Sequence, residues 1–124
     1  MKTLLIIALG GALGSVARYG AQMYVLKAHP TLFPMGTFLV NISGCLLIGI
    51  FYALAERGNL LTPEWRFFLI TGLCGGYTTF SSFALENMHL MKAGDFLYVG
   101  LNAAGSVVLG IAAVYLGTFI IKTL

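Results

Sequence analysis

Three features of this sequence together specify an all-α integral membrane protein, with four transmembrane helices of which the third is broken mid-membrane. The 124-residue chain is 59% apolar and only 9% charged, far from the balance of a soluble domain. Its apolar residues fall into four stretches, each long enough for the roughly 20 residues a bilayer span needs, and what remains is too short for a separate soluble domain. Residues 72–83, GLCGGYTTFSSF, place glycines, hydroxyl residues and two phenylalanines inside the third stretch. Backbone groups freed at membrane depth cost several kcal/mol each unless protein, ion or water satisfies them, so such a break ordinarily lines an ion or substrate site.

The spans are expected at residues 3–26, 32–55, 66–91 and 96–121, all within a single four-helix membrane domain covering residues 1–124. The first has Lys2 before an apolar run, as a signal peptide does. That run continues well past a short h-region, however, and its removal would leave three spans, so it is read as part of the fold. Pro30 and Pro34 close the first connection. Pro63 after Thr62 marks the start of the third helix, and Gly94 with Asp95 makes the last turn. Trp65, Tyr24 and Tyr98 suit the interface, whereas Tyr77 lies too deep for that role. Cys45 and Cys74 each sit inside an apolar span and read as small hydrophobes rather than as a disulfide or a metal site.

Four spans put Lys2, Arg57, Arg66 and Lys122 on one side, and Lys27 and Lys92 on the other, with Arg18 toward the second. Orientation follows the lysine and arginine asymmetry, and a near balance lets a chain insert both ways up. Dual topology and an antiparallel homodimer follow as expectations. The chain has no internal repeat, so a second copy would supply the inverted symmetry common in transport proteins. Gly10 and Gly14, Cys45 and Gly49, and Ser106, Gly110, Ala113 and Gly117 stand at helix-packing spacing.

Polar residues inside the spans are few. Arg18 and Glu86 are the ionisable ones, two to three turns from a helix end, where each can snorkel or line a wet vestibule. Asn41, accompanied by Thr37 and Ser43, lies near mid-membrane, where an amide either glues helices together or faces a permeating anion. Asn102, Ser106 and Gly110 recur every four residues as one stripe. Phe80 and Phe83 share a helix face. Such a pair usually fills a core or faces lipid, but here it follows a break and is interleaved with Ser81 and Ser82. Ring edges are positive and can attract a small anion, as can the new helix N-terminus that a break creates. Carbonyls freed at Gly75 and Thr78 can coordinate a hard cation.

With these residues in view, the chain resembles the Fluc, or CrcB, family of fluoride ion channels over its whole length. Residues 72–83 carry the resemblance most specifically, supported by GGALGSVARYG at residues 10–20 and GTFLVNISG at residues 36–44. The resemblance implies a dual-topology homodimer of antiparallel subunits in a prokaryotic plasma membrane, with two fluoride pores and a structural sodium ion at the centre of the interface. Phe80 and Phe83 look like the pore phenylalanines, contributed to each pore by different subunits, and Asn41 like the pore-facing amide. Ser81, Ser82 and Ser106 are similar to the hydroxyl track, and Gly75 and Thr78 to the residues whose backbone carbonyls hold sodium. Arg18, Glu86 and Thr37 are vestibule candidates. Ser82 stands where relatives often carry threonine, and Gly110 where a serine can occur. The implied activity is passive, electrodiffusive export of fluoride.

The competing class is a small dual-topology proton-coupled multidrug exporter. Its chemistry needs a membrane-embedded carboxylate in the first helix, and that helix carries Arg18 and no acid. A non-transporting assembly protein would use the glycine and serine pattern for packing alone. No nucleophile and base pair suggests an enzyme, and the net charge of +3 is scattered rather than gathered into a nucleic-acid footprint. The expected partners are fluoride, membrane lipid and a second copy of the chain.

Overall fold

The structure is a computed structural model that describes residues 1–58 and 60–124. Its described residues form helices and short connections, with no strand. Four helical stretches are long and apolar enough to cross a membrane: Lys2–Ala28, Met35–Glu56, Pro63–Lys92 and Phe96–Thr123. In chain order they comprise α1 (Lys2–Ala28), α2 (Met35–Glu56), α3 (Pro63–Arg66), a π-helical segment (Phe67–Cys74), α4 (Gly75–Tyr77), α5 (Phe80–Lys92) and α6 (Phe96–Thr123).

The helix ends follow from local chemistry. Thr62 caps α3, its hydroxyl accepting from the Trp65 N–H, and Pro63 takes the first helical position, where no N–H is needed. The third span therefore begins three residues before the expected Arg66. The second begins at Met35 rather than Leu32, because Pro34, with ψ at 65°, stands outside the helix as its cap. Gly94, at φ +81°, ends α5, with the Gly94 and Asp95 N–H groups turned back onto Met91 and Leu90 carbonyls.

α2 packs chiefly on α6, and α1 on the π-helical segment and α4. Small residues make both contacts possible. A Cβ on Gly49 would come within 2.3 Å of the Val114 carbonyl oxygen, and one on Gly10 within 2.4 Å of that of Phe68. At one end of the bundle Arg57 donates to the Ile121 carbonyl, Arg66 to that of Ala55, and Lys2 pairs with Glu64. The side chains expected to share one face of the membrane thus gather there, each basic group near a helix terminus that favours positive charge or beside an acid. Most of each span's surface stays exposed, and the exposed side chains are predominantly apolar.

Candidate functional site

Within the third span, Thr78 (φ −80°, ψ 154°) and Thr79 (φ −149°, ψ 120°) are extended, with helical residues on both sides. Of the glycines, hydroxyl residues and phenylalanines expected to interrupt the helix, the glycines lie in helical backbone. Gly72 and Gly76 sit against Gly10 and Gly11 of α1, where a Cβ on Gly76 would come within 2.4 Å of the Gly11 carbonyl oxygen. Their service is close packing, and two threonines carry the departure from helix. β-Branched residues suit extended backbone, and a threonine hydroxyl can cap the helix that follows.

Asn41 of α2 holds the extended pair in place. Its Oδ1 accepts from the Thr79 N–H at 2.8 Å, and its Nδ2 donates to the Thr79 carbonyl at 3.0 Å. Thr79 is buried, so without Asn41 both backbone groups would be left unpaired. A primary amide carries two N–H donors, and one of them remains after this clamp.

Four carbonyls, Gly75 to Thr78, lose their helical donors at this point, since Cys74 is the last to accept one, from the Thr78 N–H. The N–H four residues after Gly75 is that of Thr79, given to Asn41, and the N–H four residues after Thr78 is that of Ser82, given to the Thr79 hydroxyl at 3.2 Å. Gly75 and Thr78 line an open groove of about 310 Å³ together with Asn41, Gly44, Cys45, Cys74, Thr79 and Phe80.

Beyond the pair, α5 opens with the Thr79 hydroxyl near both Ser81 Oγ (3.3 Å) and Ser82 Oγ (3.2 Å). Phe80 and Phe83 have ring centroids 5.6 Å apart and planes inclined at 39°, and Phe80 is 80% exposed. A second groove, about 400 Å³ and more polar, is lined by Gln22, Thr37, Ser82 and Glu86 among others. Across it Gln22 donates to the Thr37 hydroxyl at 3.0 Å, which donates to Glu86 Oε1 at 2.6 Å, while Glu86 Oε2 is buried without a partner. Thr37 and Asn41 are one turn apart on α2, as are Ser82 and Glu86 on α5. The polar groups of the two grooves therefore form one connected track.

Ser106 lies outside that track. It donates to Asn102 Oδ1 at 3.3 Å, and Asn102 donates to Asn87 Oδ1 at 3.1 Å, a network buried between α5 and α6. Arg18 is not joined to Glu86: the one salt bridge among the described residues is Lys2 with Glu64. Gln22, Thr79 and Asn87 were not anticipated as site residues. Asn87 carried a readable signal, standing seven and four residues after the two phenylalanines and hence on their helix face.

Residues 5–118 match the family described as CrcB-like protein, Camphor Resistance (CrcB). The chain belongs to the CrcB family. A CrcB-family chain with four such helices is a multi-pass plasma-membrane protein. Among its relatives, a "Fluoride-specific ion channel FluC" of Flavobacterium psychrophilum is 50% identical over 100% of both chains. One of Chlorobium phaeobacteroides is 48% identical over 98% of this chain and 94% of its own. One of Phocaeicola vulgatus is 49% identical over 94% and 96%. Each carries the same name, and each matches along nearly its whole length.

Proposed function

We propose that this CrcB-family chain is a fluoride-selective ion channel. The observation that carries the reading is its end-to-end match, at up to 50% identity, to bacterial proteins named fluoride-specific ion channels. The geometry supports where the ion passes. In a chain whose exposed surface is mainly apolar, hydroxyl and amide groups run from the Thr37–Glu86 groove to the Asn41–Thr79 clamp, beside the exposed ring of Phe80.

The extended Thr78–Thr79 pair is then the break of a membrane-crossing helix, and Phe80, Phe83, Asn41, Ser81 and Ser82 line the fluoride path; Ser106, outside the connected track within one chain, is assigned to the path on the family resemblance alone. The remaining Asn41 N–H, the serine hydroxyls and the positive ring edges replace the hydration shell of a small anion, in a path too narrow for chloride. No energy source is needed. Fluoride enters cells from acid surroundings as the neutral weak acid, ionises at cytoplasmic pH, and leaves as the anion down its gradient, which detoxifies the cell.

The assembly we propose is an antiparallel, dual-topology homodimer with two pores, each taking Phe80 and Phe83 from different subunits. Two aspects of the chain support it. The groove at the extended pair is open, and lipid cannot satisfy the polar backbone there. The charge is nearly balanced between the two ends. Carbonyls of Gly75 and Thr78 from both subunits would hold a structural sodium ion, a hard cation suited to oxygen ligands. The donor set fits, because both carbonyls lack a helical donor and both residues line the open groove. Arg18 and Glu86 remain vestibule groups in this reading.

The test is fluoride-electrode efflux from proteoliposomes, with chloride as the control anion. Fluoride should leave and chloride should not, and equal permeability would remove the proposal. Phe80→Ile with Phe83→Ile should abolish fluoride efflux while the protein still assembles, and wild-type flux in that double variant would discard the assignment of the rings.

A further inference from the structure

Tyr77 lies too deep in the third span to serve as an interfacial anchor, and the fluoride reading gives it no task. It is the one residue of the short helix α4, Gly75–Tyr77, that carries a side chain. Gly75 and Thr78, whose carbonyls are the proposed sodium ligands, bracket Gly76 and Tyr77, so the placement of that inner pair sets how the two carbonyls stand to each other. On one side the pair is held by backbone contact: Gly76 lies against Gly11, and the Tyr77 nitrogen against Gly14, both of α1. The hold on the other side is the Tyr77 phenol, whose oxygen is 3.0 Å from Ser43 Oγ of α2. The single Ser43 proton goes to the Val40 carbonyl at 3.1 Å, so in this bond the phenol donates and Ser43 accepts. Gly44, next to Ser43, leaves room for the ring, since a Cβ there would stand 3.2 Å from Tyr77 Cδ1 and would overlap the Thr78 methyl. One helix thus grips the break twice, through Asn41 on the Thr79 backbone and Ser43 on the Tyr77 side chain. Tyr77 and Ser43 line an apolar groove of about 450 Å³ that shares no residue with the groove on which Gly75 and Thr78 open. The phenol therefore acts on the two carbonyls through the backbone, not by touching an ion.

We infer that Tyr77 is a positioning residue for the sodium site. Its hydrogen bond to Ser43 fixes the short helix between the Gly75 and Thr78 carbonyls, so that both are aimed before the ion arrives and less ordering is left for the ion to impose. The inference rests on the proposed sodium-bound dimer and adds to it two residues that touch no ion.

The test is the sodium dependence of pairing. Protein is prepared at stepped sodium concentrations, with N-methylglucamine making up the cation, and the dimer fraction in liposomes is counted by single-molecule photobleaching at low density. Tyr77→Phe is the clean deletion, because it removes the donor and leaves Ser43 bonded to Val40. It should raise the sodium concentration that gives half the maximal dimer by about threefold to tenfold, the worth of one hydrogen bond. Saturating sodium should restore both wild-type pairing and fluoride efflux. Ser43→Ala should raise the midpoint too, and adding it to Tyr77→Phe should raise it no further, since two partners in one bond do not add. An unchanged midpoint overturns the inference. So does a loss of pairing that sodium cannot restore, because a phenol that merely packed α4 against α2 would matter equally at every sodium concentration. A further, additive rise in the double variant overturns it as well. Should Tyr77→Phe lose its helical circular dichroism, Ser43→Ala is compared with Ser43→Thr, which keeps the acceptor and should hold the wild-type midpoint. A wild-type protein whose pairing ignores sodium overturns the sodium reading, and this inference with it. A wild type that responds to sodium while its variants match it overturns this inference alone.

Discussion

Asn41 joins two requirements that pull in different directions, since the extended Thr79 needs a partner for each of its backbone groups while a permeating anion needs a donor with a vacancy. One carboxamide serves both, with its oxygen and one N–H on Thr79 and its second N–H left over. Asn41→Leu should therefore lower stability as well as flux. Leaving a buried donor or acceptor unpaired costs about 1–3 kcal/mol each, so the unfolding temperature in detergent should fall clearly, and efflux should be lost. A leucine variant that unfolds at the wild-type temperature would show that Thr79 finds other partners. The sequence marked Asn41 as important by depth alone, because an amide near mid-membrane is conspicuous in an apolar run. Its partner was not legible, since a main-chain group leaves no letter of its own. Gln22 was missed for a related reason: it is a lone polar residue near a helix end, where solvent exposure is the ordinary expectation and only the neighbouring helix shows otherwise.

In the third span, glycines and threonines of one motif take different backbone roles. Within residues 72–83, Gly72 and Gly76 pack on α1, while Thr78 and Thr79 are extended. Glycine permits both a bend and a close approach, and a sequence does not say which is used. Packing decides it here: the small faces of α1 and of the third span meet with backbone against backbone at Gly10, Gly14, Gly72 and Gly76. The π-helical segment Phe67–Cys74 was equally hidden, because its i→i+5 bonding has no signature in an apolar run. The four spans themselves were readable to within three residues, since length and hydropathy alone define them. Gly76→Val should destabilise the fold by roughly 1–3 kcal/mol, the usual cost of overpacking, because its Cβ meets the fixed backbone of Gly11. Thermal unfolding in detergent checks this, and a valine variant as stable as the wild type would mean that α1 can move away without loss.

Gly75 lies one residue before Gly76, yet a Cβ there meets nothing within 4 Å, and the residue is exposed on the open groove beside Thr78. Within the single chain, glycine has no steric reason to occupy that position. In the proposed pair it has one, since the groove faces a second copy and the Gly75 carbonyl must approach sodium closely. This contrast gives the assembly a test that the fold of one chain cannot imitate. Gly75→Leu should leave the helical content unchanged, because nothing inside the chain opposes the side chain. It should also lower the dimer fraction in liposomes, measured by single-molecule photobleaching at low protein density, and abolish fluoride efflux. Replacing sodium by N-methylglucamine throughout preparation should shift the wild-type protein in the same direction, and the leucine variant should not respond to it. A Gly75→Leu protein that pairs as well as the wild type would show that this face is not the covered one. The exposed polar backbone at Thr78 would then need a different neighbour, because lipid cannot supply its hydrogen bonds.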